Sequence, residues 1–251
     1  MQNAAFEHAG VDFCYVTFSI APENLKDAVM GARALGFAGL NVTVPHKEAI
    51  IPYLDEIDKA ASFIGAVNTV VNKNGKLVGY NTDGLGFMQS LKDEGIKARG
   101  KNILIVGAGG AARGICHYLA KECDRLFVYN RTPDKAVRLV RDLSAHFQNA
   151  IVLEEILNLD DVDMVINCTT LGLDGRDAFP FDVALLNRHH VLCDLIYRPT
   201  RLQAEAAQRG AKVFTGMGML LHQGALAFKL WTKVAAPVSV MRDVLVRSIQ
   251  G

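Results

Sequence analysis

The chain has 251 residues, half of them hydrophobic, and Lys+Arg 27 against Asp+Glu 26 leaves a formal charge of +1. It is long enough for a sizeable core in one large or two small domains, and no block of like charge offers a nucleic-acid tail or a polybasic membrane patch. Its five cysteines, Cys14, Cys116, Cys123, Cys168 and Cys193, include no CxxC pair, which argues against a disulfide framework or zinc site and for a reducing cytosol.

No apolar run approaches the roughly 18 residues of a membrane-spanning helix, and residues 1–10 lack the basic and apolar regions of a signal peptide. Apolar runs instead alternate with amphipathic stretches. FCYVTFSI reads as a strand, ENLKDAVMGARALG as a helix, GLNVTV as a strand and KEAIIPYLDEIDKAASFIG as one long helix. GLGFMQSLKDEG, another helix, leads into a second series: NILIV, a helix over 111–121, RLFVYN, a helix over 134–146, MVINCTT, HHVLCDLI and AKVFTG. A helical stretch over 218–249 closes the chain. The pattern is α/β with mainly parallel sheets covered by helices, divided at 1–86, 87–217 and 218–251, the last part returning to pack on the first.

NILIV runs directly into Gly107-Ala108-Gly109-Gly110-Ala111-Ala112. Gly107 permits a tight turn, Gly109 lets the backbone approach a pyrophosphate, and Ala112 is the third small position, allowing close helix packing. The free amides of the following helix suit an anion. Such a motif gains weight when a strand precedes it and a helix follows, as here; a plain strand-to-helix turn is the competing reading. The next strand ends at Asn130-Arg131-Thr132, where an NAD enzyme places an acid on the ribose. Arg131 and Lys135 offer cations to a 2′-phosphate instead, favouring NADP; a solvated loop arginine is the alternative.

Three polar patches precede that motif. They are NVTVPHK (41–47), GAVNT (65–69) and GYNTDG (79–84), and together they suggest a polyol site at the carboxyl edge of a sheet. Taken singly, Lys47 and Asp83 are equally compatible with surface and turn residues, and Asn68 with a cap. His46 reads as a helix-start residue, and His189 and His190 as neighbours on opposite faces of a strand. No metal site is expected. Cys168 is open to two readings, as a wall of a cofactor cleft or as a buried inert thiol.

NVTVPHK, GAVNT, YNTDG, VGAGGAA, NRT and MLLHQGALAF occur in the order and at the spacings of shikimate dehydrogenase, and the chain resembles that family over nearly its whole length. The resemblance implies a substrate domain of mixed sheet, a Rossmann-type NADP domain and a cleft closing on both ligands. It implies Lys47 and Asp83 as the catalytic pair, with Thr43, Asn68 and Gln223 on the substrate hydroxyls and Tyr197 on its carboxylate. Gly107, Ala108, Gly109, Gly110, Ala111, Asn130, Arg131, Thr132 and Lys135 would hold the cofactor, with Asn167, Thr169, Gly216 and Met217 at its nicotinamide end. The implied activity is NADPH-dependent reduction of 3-dehydroshikimate to shikimate on the route to chorismate and the aromatic amino acids. It would run in the cytoplasm, in a monomer or homodimer with small-molecule partners only and neither nucleic acid nor membrane.

The chain departs from the family pattern in two places. A strand and Ser-x-Ser-Pro turn that bind the substrate carboxylate are expected before Gln2 and do not occur, which predicts a rearranged first domain and weaker substrate binding if Met1 is the start. Leu202 stands where the family has threonine, five residues after Tyr197. Two alternatives follow: a quinate/shikimate dehydrogenase that also takes NAD, and a non-catalytic NADP-binding remnant.

Overall fold

The computed structural model describes residues 1–174 and 178–250. Gly251, the end of the expected third segment, and residues 175–177 within the second lie outside the described residues. In chain order the elements are α1 (Gln2–His8), α2 (Leu25–Ala34), β1 (Gly39–Asn41), α3 (His46–Ala49), β2 (Glu56–Ile57), α4 (Lys59–Ile64), β3 (Thr69–Lys73), β4 (Lys76–Tyr80) and α5 (Asp83–Asp93). Then come β5 (Asn102–Val106), α6 (Gly110–Leu119), β6 (Arg125–Tyr129), α7 (Pro133–Ser144), β7 (Ala150–Leu153) and β8 (Met164–Asn167). The chain closes with β9 (Val191–Asp194), α8 (Arg201–Gln208), β10 (Lys212–Thr215), α9 (Met217–Thr232) and α10 (Val238–Gln250). It divides into two compact units, Met1–Gly86 with Leu220–Gly251, and Phe87–Met219.

The first unit holds a four-stranded sheet in the order β1-β3-β4-β2. Only β2 and β4 run parallel; β1/β3 and β3/β4 are antiparallel, so this sheet is mixed rather than mainly parallel. The cause is local. Asn74 (φ 55°) and Gly75 (φ 88°) form the two-residue Asn-Gly turn whose backbone twist matches a tight hairpin, so β3 reverses directly into β4. The long helix expected over 47–65 is also absent. Pro52 lacks an N–H to continue α3 and sits within a short 3-10 turn, Ile51–Tyr53, and Asp58 accepts from Ala60 N–H at 3.0 Å to cap α4 afresh.

Residues 13–20 form no strand, against expectation. The Asn3 side chain takes both polar groups of the Tyr15 backbone, accepting from N–H at 2.6 Å and donating to the carbonyl at 3.0 Å. Together with β1, the sheet's edge strand, this segment lines an apolar groove of about 870 Å³. Trp231 lines the same groove: Gly39 lies so close to it that a Cβ would overlap the indole, and Trp231 donates from Nε1 to Val70 O at 2.9 Å. Leu25, Val29, Ile50, Val67, Val70 and Leu77 form the core of this unit.

The second unit contains a six-stranded sheet, β10-β9-β8-β5-β6-β7, parallel throughout. Counted within the unit, this is the doubly wound order of a Rossmann-type fold, in which ligands bind beyond the carboxyl ends of the strands where the order reverses. That point lies between β5 and β8. Leu104, Val165 and Leu192, on three of the four inner strands, are fully buried, as in a sheet covered on both faces. β7 was not read from the sequence; Ala150–Leu153 is a short, partly exposed edge strand without a clear alternation.

Candidate active site

In the first unit, α3 and α5 each begin just after a strand and bring Lys47 and Asp83 together. Lys47 Nζ lies 2.5 Å from Asp83 Oδ2, with side-chain exposures of 14% and 5%. Asp83 opens α5, where the helix dipole favours a negative charge. Its other oxygen, Oδ1, accepts from Asn68 Nδ2 at 2.8 Å. Asn68 is itself fully engaged: Nδ2 also donates to Thr82 Oγ1, and Oδ1 accepts from Thr82 N–H at 2.8 Å and from Thr69 Oγ1 at 3.0 Å. Asn81 fixes the same turn by accepting from Asp83 N–H and donating to Ala66 O.

A largely buried lysine with a fixed carboxylate can donate a proton to, or take one from, an oxygen within reach, and the carboxylate keeps the ammonium oriented. Thr43 stands exposed before α3 and lines the 870 Å³ groove, outside the bonded cluster. Gln223 on α9 turns its amide to Leu220 O. Gly86 lets the two helices meet, since a Cβ there would come 2.6 Å from Gln223 N. His46 bonds through Nε2 to Ile20 O at 2.9 Å.

In the second unit, Gly107 has φ 112°, and a Cβ on it would stand 3.0 Å from Thr169 Cγ2 and 3.2 Å from the Cys168 carbonyl. Only glycine takes this backbone conformation without strain. The Gly107 N–H donates to Tyr129 O at 2.7 Å, and the Ala108 N–H to Asn130 Oδ1 at 3.1 Å, so the glycine turn is tied to the end of β6. Gly109 precedes α6, whose first residues are Gly110 and Ala111 and whose Ala112 is fully buried.

A cavity of about 470 Å³ opens there, lined by Gly107, Asn130, Arg131, Thr132, Lys135, Thr169 and Leu171 among others. Its described lining contains no acidic residue. Arg131 and Lys135 are exposed. Asn167, behind this wall, is buried; its Oδ1 accepts from Thr169 N–H and Oγ1, and its Nδ2 donates to Leu171 O. Gly216 is hemmed in by Leu195, whose Cα would stand 2.9 Å from a Cβ, and Met217 begins α9. Tyr197 is 40% exposed on the loop after β9. None of these last three lines the described cavity.

Leu202 is a buried core residue, while Thr200 caps α8 by accepting from Gln203 N–H; the hydroxyl sought five residues past Tyr197 sits three past it. His189 and His190 precede β9 rather than lying on it, His190 buried against Leu159 O. Burial pushes the Cys168 thiol well above its ordinary range, and among the described residues no cluster of His, Cys, Asp or Glu could hold a metal. The reading from sequence missed Asp194, a buried acid at the end of β9; its only signal was a charge closing an apolar run.

Residues 1–70 match the family described as "Shikimate dehydrogenase substrate binding domain", residues 90–172 "Shikimate / quinate 5-dehydrogenase", and residues 216–246 "Shikimate 5'-dehydrogenase C-terminal domain". The shikimate dehydrogenase (NADP(+)) of Desulforamulus reducens is 46% identical, over 99% of this chain and 90% of its own. The crystal structure of the Aquifex aeolicus shikimate dehydrogenase superposes with a TM-score of 0.91 at 42% identity, covering 98% of this chain and 91% of that one. The Thermus thermophilus enzyme, solved with NADP(H) and shikimate, gives 0.87 at 36% identity, covering 98% and 92%.

Proposed function

The chain belongs to the shikimate dehydrogenase family, and we propose that its first unit takes the substrate while the second takes the cofactor. It is an NADP-dependent oxidoreductase that interconverts 3-dehydroshikimate and shikimate in aromatic amino acid biosynthesis. The observation that carries the assignment of the chemistry is the 2.5 Å contact of Lys47 with Asp83, steered by Asn68.

The second unit suits NADP on two counts. Gly109, before the first turn of α6, leaves open space where a side chain would stand, and Arg131 and Lys135 line a cavity wall without a described acid, the donor set for a phosphate. In this reading Gly107, Ala108, Gly109, Gly110 and Ala111 face the pyrophosphate. Asn130 and Thr132 shape the ribose wall, Arg131 and Lys135 hold the 2′-phosphate, and Thr169, Asn167, Gly216 and Met217 shape the nicotinamide end. When bound, NADPH supplies the hydride.

The chain's own residues handle the proton. Lys47 Nζ donates to the carbonyl oxygen as it becomes an alkoxide, and in reverse takes the hydroxyl proton; Asp83 Oδ2 holds the ammonium in line. Thr43, Asn68 and Gln223 frame the ring hydroxyls, and Tyr197 meets the carboxylate. We place the protein in the cytoplasm as a monomer or homodimer. Five unpaired cysteines support that setting, and no described helix is long and apolar enough to cross a membrane.

NADPH absorbance followed with shikimate or quinate, each with NADP and NAD, tests the reading. Shikimate-dependent reduction of NADP that vanishes in Lys47→Ala is expected. A preference for quinate with NAD would move the chain to the quinate branch, and NADPH binding without any turnover would make it a non-catalytic relative.

A further inference from the structure

Asp194 ends β9 with no exposed surface, and no ion pair among the described residues includes it. A carboxylate buried in this way is stable only if its lone pairs are occupied. They are, in two branches that meet at Ile196. Oδ1 accepts from Asn167 Nδ2 at 3.0 Å and Ile196 N–H at 3.2 Å. Oδ2 accepts from Thr200 Oγ1 at 2.8 Å and Gln203 Nε2 at 3.0 Å.

Each branch continues to a loop. Through Asn167 the first reaches Thr169 and Leu171, on the wall of the 470 Å³ cavity. Through Gln203 the second reaches the carbonyls of Ile196 and Arg198, both 3.0 Å from Nε2, which bracket Tyr197. An acceptor-only group with about four lone-pair sites is needed to hold both branches; an amide would turn a donor toward one of them. The residue must therefore be an acid although it pairs with no cation.

We propose that Asp194 is a positioning residue that sets the cofactor-pocket loop and the Tyr197 loop from a single carboxylate. The inference rests on the reading that the first loop meets NADP and Tyr197 the substrate carboxylate. It ties the affinities for two ligands to one buried charge that touches neither.

Three variants test it: Asp194→Asn, Gln203→Met and Asn167→Ala. NADPH affinity is read by fluorescence titration, shikimate KM and kcat by turnover, and loop order by amide hydrogen exchange. In Asp194→Asn, NADPH affinity and shikimate KM should each worsen about tenfold, the loss of one charge-assisted hydrogen bond. Its kcat pH profile should stay that of the parent chain, and exchange should quicken over 168–171 and 195–200. Gln203→Met should raise shikimate KM and quicken only 195–200; Asn167→Ala should weaken NADPH and quicken only 168–171. If Asp194→Asn lowers the melting temperature alone, or if each single-branch variant disturbs both loops, the proposal is overturned. Should Asp194→Asn not fold, the two single-branch variants decide in the same terms. A parent chain inert toward shikimate would refute the functional reading, and the exchange patterns would still judge the role of Asp194.

Discussion

Asn68 donates from Nδ2 to Asp83 Oδ1 at 2.8 Å and leaves Oδ2 to face Lys47 Nζ. The amide thus sets the rotation of the carboxylate that holds the lysine. Asn68→Ala should reduce kcat and, by stranding the buried Thr82 N–H that Asn68 satisfies, lower stability by about 1–3 kcal/mol. Turnover and thermal melting on the same preparation check both; an unaltered kcat would show that Asp83 does not depend on this bond.

Lys47→Ala removes the proton carrier and leaves a carboxylate 5% exposed. We expect kcat to fall about a thousandfold, the scale of general acid-base catalysis, with NADPH affinity unchanged because the cavity lining belongs to other residues. A variant losing cofactor affinity in step with kcat would place Lys47 in binding instead.

Gly107 and Gly109 should respond differently to alanine. At Gly107 the positive φ and the crowding by Thr169 and Cys168 cost about 1–2 kcal/mol, so melting temperature and NADPH affinity fall together. At Gly109 a Cβ meets nothing within 4 Å and φ is −83°. Gly109→Ala should melt like the parent while binding NADPH more weakly, as titration beside a melting curve would show.

Arg131→Ala should weaken NADP about tenfold or more, the contribution of a charge-assisted phosphate contact, and leave NAD unchanged. Comparing kcat/KM for the two cofactors measures it. Equal losses for both would put Arg131 on a group the two share.

His117, on α6, has its pKa lowered from 6.5 to about 4 by burial, with Lys121 and His146 adding to the effect. A depressed folded-state value means the unfolded chain binds the extra proton first. The neutral imidazole therefore supports the fold fully above pH 6.5, and the contribution is lost as pH falls toward 4. Denaturant midpoints across that window should decline in the parent chain and decline less in His117→Leu.

What the sequence made legible was local. The Gly107 turn, its flanking strand and helix, and the cations after β6 all lie in continuous stretches, and each follows from neighbouring residues. Lys47 and Asp83 are 36 positions apart, and no spacing rule joins them; only the family pattern named them as a pair. Asp194 was invisible because its partners come from another strand and a later helix. Two misses were avoidable: Asn74-Gly75 is a strong hairpin signal, and Pro52 marks a break inside an otherwise helical pattern. The unpaired segment at 13–20 was not, since its residues favour a strand and the side chain of Asn3 diverts it.

Trp231 is the chain's one tryptophan, and its indole is bonded to Val70 and stands against Gly39, all within a single unit. Intrinsic fluorescence excited at the indole is therefore a private reporter of that unit. Set beside circular dichroism, which weighs the helices of both, it would reveal in one titration whether the two halves of this enzyme unfold together or in turn.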